Sequence, residues 1–300
     1  MSSIASGQKD APDAVAPATD GTSTTTRPDS PITFPVTPVP DAGSTGNVIR
    51  TAAALIIGDE VLNGKTKDTN SHYVAKFCFD LGIELKRIEV IADDESEIIE
   101  ASRRMVKNYD FVVTSGGIGP THDDITYSSL AKTFSKPLEY HDETIRRMDA
   151  MIQRAHKSQT EEQQIARKRM ALFPAESEIL YVEESLWVPV VRLEGKLCIL
   201  PGIPSLFERL LVGLKPYLAL PDESSKSSRH QIFTTLPEST IAPFLTALQE
   251  RVAPEGIRIG SYPAFRSGVT VSLIGRNAER LKEIGQEVAK ELQGKVLDAE

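Results

Sequence analysis

Cysteine is nearly absent from this 300-residue chain: only Cys78 and Cys198 occur, each inside an apolar run. Two thiols so placed read as core residues in a reducing compartment, not as a disulfide framework or a metal pair. Aromatic residues are sparse as well, at 6% with a single tryptophan, Trp187, which reads as packing or interface. No apolar run approaches the roughly 20 residues that a bilayer-spanning helix needs, and the amino terminus lacks the basic-then-apolar order of a secretory signal. Its first 46 residues hold only Lys9 and Arg27 against Asp10, Asp13, Asp20, Asp29 and Asp41, the reverse of an acid-poor transit peptide. Positive charge is short overall: a formal net charge of −8 repels nucleic acid and anionic lipid alike. These absences set the expectation of a cytoplasmic protein with no membrane and no nucleic-acid partner.

What is present is a 40% hydrophobic content, enough for a sizeable core. Residues 1–46 are rich in Ser, Thr, Pro, Ala and Gly without apolar periodicity, which predicts a disordered tail. Order is expected from Val48, where the run to Ile57 has the continuous apolar character of a strand covered on both faces. A helix follows from Asn70, with Val74, Phe77, Cys78 and Leu81 on one face and Gly82 as its stop. A strand at Ile83–Ile91, a helix from Ser96 and a strand at Asp110–Thr114 complete a β-α-β-α-β alternation. That alternation predicts an α/β fold with a doubly wound, mostly parallel sheet and a ligand crevice at the carboxyl ends of its strands. Helices are expected near 125–134, 142–156, 161–173 and 203–218, with short strands near Ile179, Val190 and Cys198. The whole would form a domain over 47–220, joined by a polar linker at 221–229 to a small α+β module at 230–300.

Chemistry concentrates in Thr114-Ser-Gly-Gly-Ile-Gly-Pro-Thr-His-Asp-Asp-Ile-Thr126. Gly116, Gly117 and Gly119 let the backbone close on a ligand and aim amides at it, and the helix that follows adds positive potential, so Ser115–Thr121, Pro120 included, reads as a phosphate cradle. Asp123 and Asp124 beside phosphates require a cation between them, which implies a divalent metal; one of them serving simply as a helix cap is the competing reading. Further acids fall at strand ends: Gly58, Asp59 and Glu60 after the first strand, Asp93 and Asp94 after the second. Parallel strands bring these to the same edge as Asp124, while Asp68 or Thr69, and Asp94 or Ser96, are also candidate caps. Asn70, Lys168, Arg169 and Gly202 are further candidates for contact with phosphate. His72 and His141 read as surface or cap residues, and His122 as a bystander.

Taken together, GDEVLNGKTKDTNS (Gly58–Ser71), VIADDESEI (Val90–Ile98), the glycine loop and LPGIPSLFERLL (Leu200–Leu211) resemble the molybdopterin-binding, MoaB/Mog-like superfamily, in the branch of CinA and the amino-terminal domain of FAD synthase. The stretch Glu183–Val190 and Leu206 after Ser205 depart from CinA toward the FAD-synthase side. The resemblance implies two aspartates acting with a metal, Asp93 (or Asp94) and Asp124, and a KH-like second domain. It also implies cleavage of a dinucleotide pyrophosphate such as FAD or ADP-ribose with Mg, Co or Mn, and homo-oligomers. Molybdopterin binding or adenylylation, and a non-catalytic nucleotide- or pterin-binding role, are the alternatives it carries. The half that adenylates FMN in FAD synthase has no counterpart in these residues, so FAD synthesis by them is not expected.

Overall fold

The computed structural model describes residues 32–41, 46–156, 158–265 and 267–297. In it the first apolar run becomes β1 (Thr51–Ile57), buried at every position after the first, as a strand covered on both faces requires. A single helical turn, α1 (Asp59–Leu62), leads to α2 (Asn70–Asp80), which buries Val74, Phe77 and Cys78. Then come β2 (Glu84–Ile91), α3 (Glu95–Asn108) and β3 (Phe111–Ser115). β1 lies between β2 and β3 and runs parallel to both. The chain thus leaves β1 toward one side and returns to its other side through α3. The carboxyl ends of β1 and β3 flank this reversal of strand order, where an open α/β sheet leaves a crevice.

Beyond the glycine loop come α4 (Thr126–Thr133), β4 (Leu138–Tyr140), α5 (Asp142–Arg154) and α6 (Glu161–Lys168). The helix expected to reach Phe173 ends early: a 3-10 turn at Arg169–Ala171 gives way to β5 (Leu172–Pro174), paired antiparallel with β4. Pro174 is the physical reason, since its ring drives the preceding residue out of helical geometry. β6 (Glu178–Leu180), β7 (Val190–Leu193) and β8 (Leu197–Leu200) extend the main sheet to the order β2-β1-β3-β8-β7-β6, parallel as far as β8 and antiparallel beyond it. α7 (Pro204–Leu214) opens on a proline and buries Phe207, Leu210, Leu211 and Leu214 against this sheet's core.

The second module has its own core around Ile232, Leu248, Val271 and Leu281. It is built from β9 (Ser228–Thr234), α8 (Glu238–Val252), β10 (Arg258–Ala264), β11 (Gly268–Gly275), α9 (Ala278–Glu291) and β12 (Lys295–Leu297), in an antiparallel sheet of order β10-β11-β9-β12. β12 is too short to register in the apolar pattern. No helix among the described residues is long and apolar enough to cross a membrane.

The expected disordered tail needs a correction. Residues 1–31 and 42–45 lie outside the described residues, but 33–41 run extended along the main domain just past its edge strand β6. The Phe34 amide donates to the Glu184 carbonyl at 2.7 Å and the Thr37 amide to the Tyr181 carbonyl at 2.8 Å, while the Tyr181 amide returns a bond to Thr37 Oγ1 at 2.9 Å. Arg147, only 4% exposed, is the clamp: its guanidinium lies 3.4 Å from the Tyr181 ring centre and 5.1 Å from that of Phe34, and donates to the Pro35 carbonyl and to Glu143. Pro35, Pro38 and Pro40 hold an extended backbone at little entropic cost, and a strap of this kind has no periodicity to betray it. Arg147→Ala is expected to cost about 3 kcal/mol, because it removes a buried guanidinium that packs on Tyr181 and Phe34 and holds the Pro35 carbonyl, while Glu143 keeps Arg146. Hydrogen exchange at the Thr37 and Tyr181 amides should accelerate together in that variant, with β1 left protected.

Candidate active site

The crevice is built around two backbones that nearly touch. Gly116 follows β3 with φ 108, and a Cβ there would sit 2.1 Å from the Ile57 carbonyl oxygen at the end of β1. Gly117, φ 65, carries the chain past Thr126 Oγ1, which a Cβ would meet at 2.2 Å. Both are conformations that L side chains rarely adopt. Gly202, after β8, brings its own backbone to the Cα of Gly116. The fully buried Thr126 ties the loop to the first turn of α4: its hydroxyl donates to the Gly116 carbonyl and its amide to the Gly117 carbonyl, each at 3.0 Å. That anchoring role was not assigned from sequence, although a threonine at the first position of a helix after a glycine loop is a readable signal. Asn70, at the start of α2, crosses the crevice from below and donates to Ser115 Oγ at 2.8 Å and to the Gly202 carbonyl at 2.9 Å. It knits the ends of β3 and β8 together and has no side-chain N–H left for phosphate.

Several amides assigned to an anion are already engaged. Gly58 donates to the Ile91 carbonyl and Gly116 to the Leu200 carbonyl, at 3.1 and 3.2 Å. Gly119 and Thr121 both donate to Asp124, at 2.6 and 2.9 Å, with the Thr121 hydroxyl adding a third bond at 2.5 Å. Among the described residues, the Gly117, Ile118 and Gly202 amides carry no intramolecular partner, and these are the donors left facing the crevice for an anion. Pro120 and Thr121 stand exposed at the outer turn of the loop. The expected cradle is therefore narrower than the run of glycines suggests.

The acids divide by role. Asp94 is the N-cap of α3, accepting from the Ser96 and Glu97 amides; the Ser96 hydroxyl and these amides hold its carboxyl below the usual range. Asp68 likewise accepts from the Ser71 amide and hydroxyl at the start of α2. Asp93 is left to the crevice. One of its oxygens accepts from the Asp59 amide at 3.0 Å, and the other lies 3.4 Å from where a Gly117 Cβ would be. Partial burial pushes the Asp93 pKa up, and the negative charges of Asp59, Glu60 and Asp123 push it further against the pull of the Asp59 amide. Among the described residues Asp93, Asp59, Glu60 and Asp123 form no ion pair with Lys or Arg. The Glu60 carboxylate folds back over Gly58, within 2.8 Å of a Cβ position there. Asp123 and His122 are exposed.

Arg167, Lys168 and Arg169 do not reach the loop. Arg167 is tied to Asp149 at 2.6 Å and to Gln159 at 2.9 Å. Lys168 and Arg169 are exposed, with no hydrogen bond or ion pair to the loop among the described residues. The early end of α6 is the reason: the pair belongs to a layer held by β4 and β5, away from the strand tips. His141 caps α5 through Nδ1, as expected of a cap residue. Cys78 and Cys198 are buried thiols with pKa pushed up to about 12 by burial.

The carboxylate set fits a hard divalent cation in one respect. Half-buried Asp93 and the exposed Asp59, Glu60 and Asp123 form a negative field with no ion-paired Lys or Arg among the described residues. Among the described residues no three His, Cys, Asp or Glu converge as ligands, so phosphate oxygens and water would complete any shell, the manner of Mg²⁺ sites. Asp124 fits less directly, because three of the roughly four lone-pair sites of a carboxylate are occupied by its own loop.

A doubly wound α/β sheet with a glycine loop and an unneutralised acid at its switch point defines a class of phosphate- and nucleotide-handling folds. Within that class the chain belongs to the family described as "Probable molybdopterin binding domain", whose model matches residues 53–219; residues 226–300 match "FAD synthase, middle domain". A protein called "Probable FAD synthase" from Caenorhabditis elegans is 34% identical over 232 residues, covering 73% of this chain and 44% of that protein. A "Putative competence-damage inducible protein" from Clostridium botulinum (strain Kyoto / Type A2) is 31% identical over 207 residues, covering 67% of this chain and 49% of its own length. The chain thus spans about half the length of the curated relatives it matches. Among solved structures, CinA from Thermoplasma acidophilum, described as of unknown function, is 28% identical over 56% of this chain and 96% of that one, with a TM-score of 0.49.

Proposed function

We propose that this chain is a divalent-metal-dependent pyrophosphatase that adds water across the diphosphate of FAD, giving FMN and AMP. The observation that carries the reading is Asp93: a half-buried carboxylate beside Asp59, Glu60 and Asp123, in no ion pair among the described residues, at the mouth of a loop with partnerless amides. The resemblance of the second module to the FAD synthase middle domain, and the name of the nematode relative, favour a flavin dinucleotide over other diphosphates.

Asp93 and Asp124 would hold the cation, which when bound polarises a phosphoryl oxygen and lowers the pKa of an attached water. The chain's own contribution is placement. The Gly117 and Ile118 amides accept the charge that develops on the departing phosphate, and Asn70 keeps β3 and β8 at the separation this needs. Asp124 couples binding to loop shape: each oxygen it withdraws from the loop frees the Gly119 or Thr121 amide for substrate phosphate. Asp124→Ala should therefore loosen the loop and lower turnover together, with faster exchange of the Gly119 and Thr121 amides.

The test is incubation of the full chain with FAD and Mg²⁺, Mn²⁺ or Co²⁺, with products separated by chromatography. FMN and AMP in equal amounts, dependent on added metal, are the expected result. FAD recovered intact under every metal, or full turnover by Asp124→Ala, would overturn the proposal.

A further inference from the structure

A row of arginines lies away from the glycine loop. Residues Thr33–Glu300 form one compact unit, and within it a cleft of about 600 Å³ opens between the outer face of α2 and the second module's sheet, with a continuation of about 680 Å³ toward β10. Arg229 and Arg258 face it from β9 and β10, both in register with Ile274 on β11, so opposite pairing places them in one row on the same face of the sheet. Arg276, just past β11, lines the continuation. Arg229 is fixed by stacking 4.6 Å from the ring centre of Phe79 on α2.

The charge balance of these walls is what points to a ligand. Three acids also line the cleft, and each already has a cation of its own: Asp80 has Lys76 at 3.9 Å, Glu84 has Lys86 at 2.7 Å and Glu255 has Arg280 at 2.7 Å. Among the described residues Arg229, Arg258 and Arg276 pair with no carboxylate. Most arginines elsewhere, Arg87, Arg104, Arg146, Arg147, Arg167, Arg192, Arg209, Arg251 and Arg280, are in ion pairs; Arg50, Arg103 and Arg169 have none among the described residues, but they lie apart from one another and line neither part of this cleft. Guanidinium groups left unpaired in a concave site, within a molecule of net charge −8, make a local well for a planar, multiply charged anion.

We propose that this cleft is a second ligand site that takes a phosphate-bearing small molecule of nucleotide size, its phosphate held by Arg229 and Arg258 and its flat ring against Phe79. A small molecule is favoured over a nucleic-acid strand because the module from Arg229 to Glu300 holds nine basic and nine acidic residues, too balanced to track a polyanion. The site is independent of the glycine loop and of the reaction assigned to it.

Isothermal titration of the full chain with AMP, in EDTA so that no metal supports the loop, tests the proposal, with inorganic phosphate and a single-stranded oligonucleotide as comparison arms. Wild type should bind AMP at a site that weakens at least tenfold in Arg229→Ala/Arg258→Ala and weakens with added salt, while Lys282→Ala, outside the cleft and paired with Glu279 on the outer surface of α9, changes nothing. Inorganic phosphate should compete weakly. Unchanged melting temperature and unchanged FAD turnover in the double variant would show that fold and loop are intact. The proposal is overturned if the double variant binds AMP as wild type does, if wild type binds none, or if the oligonucleotide binds more tightly than AMP. Should the double variant fail to fold, Arg276→Glu alone, exposed and past the strand end, must weaken AMP binding; no effect there overturns it equally.

Discussion

Asp93→Asn should lower FAD turnover on the order of 10²–10³-fold, the effect of losing several kcal/mol of charge stabilisation at a reacting phosphate, while making the protein more stable at neutral pH. The two effects share one cause. Asparagine keeps an oxygen for the Asp59 amide, so the local backbone is held, but it removes the charge that burial and Asp59, Glu60 and Asp123 oppose. A carboxyl whose folded pKa is raised binds its proton more tightly in the folded state. Its contribution to stability is complete below its ordinary value of 3.8 and is lost as pH rises through the folded value. The variant should therefore melt above wild type at about pH 7, with the gap closing toward about pH 4. A fall in melting temperature at neutral pH would show that Asp93 is a structural brace and not a charge held for a ligand.

Gly116→Ala should produce the largest loss of stability, roughly 3 kcal/mol or more, because an unfavourable φ and a steric overlap act together. The added Cβ would lie 2.1 Å from the Ile57 carbonyl oxygen, and what it meets is backbone, which cannot swing aside. β1 and β3 would have to part at the switch point, so the crevice opens as the fold weakens. Denaturant unfolding should show a reduced midpoint, and residual activity should be lost even where the variant remains folded. Gly64→Ala is the control: it also has positive φ but nothing within 4 Å of its Cβ, and it should cost about 1 kcal/mol with activity kept.

How much of this was legible in the sequence follows from how local each signal is. The β-α-β-α-β core could be read because Val112, Val113 and the Val74–Phe77–Cys78 stripe express the periods of strand and helix directly. The glycine loop could be read because a left-handed backbone admits little but glycine. Asp93 and Asp94 were not separated, although Asp94-Glu-Ser-Glu97 has the spacing of a helix-capping box and marks Asp94 as the cap. Lys168 and Arg169 were misplaced because their position depends on where α6 ends and which layer β4 and β5 build. The engagement of the Gly119 and Thr121 amides by Asp124 depends on loop closure, which composition does not encode. The strap at 33–41 and the arginine row across β9 and β10 arise from pairing partners far apart in the chain, and only the folded arrangement reveals them.

The central claim is that acids from separate strand tips act beside one set of backbone amides to bring water to a diphosphate. It is tested most directly by turning over FAD with metal in ¹⁸O-labelled water and weighing the products. Hydrolysis places one labelled oxygen on the phosphate of either FMN or AMP, and labelled product should form on the order of 10²–10³-fold more slowly in Asp93→Asn. Unlabelled nucleotide joined to an acceptor such as a pterin, or labelled product formed equally by Asp93→Asn, would contradict it.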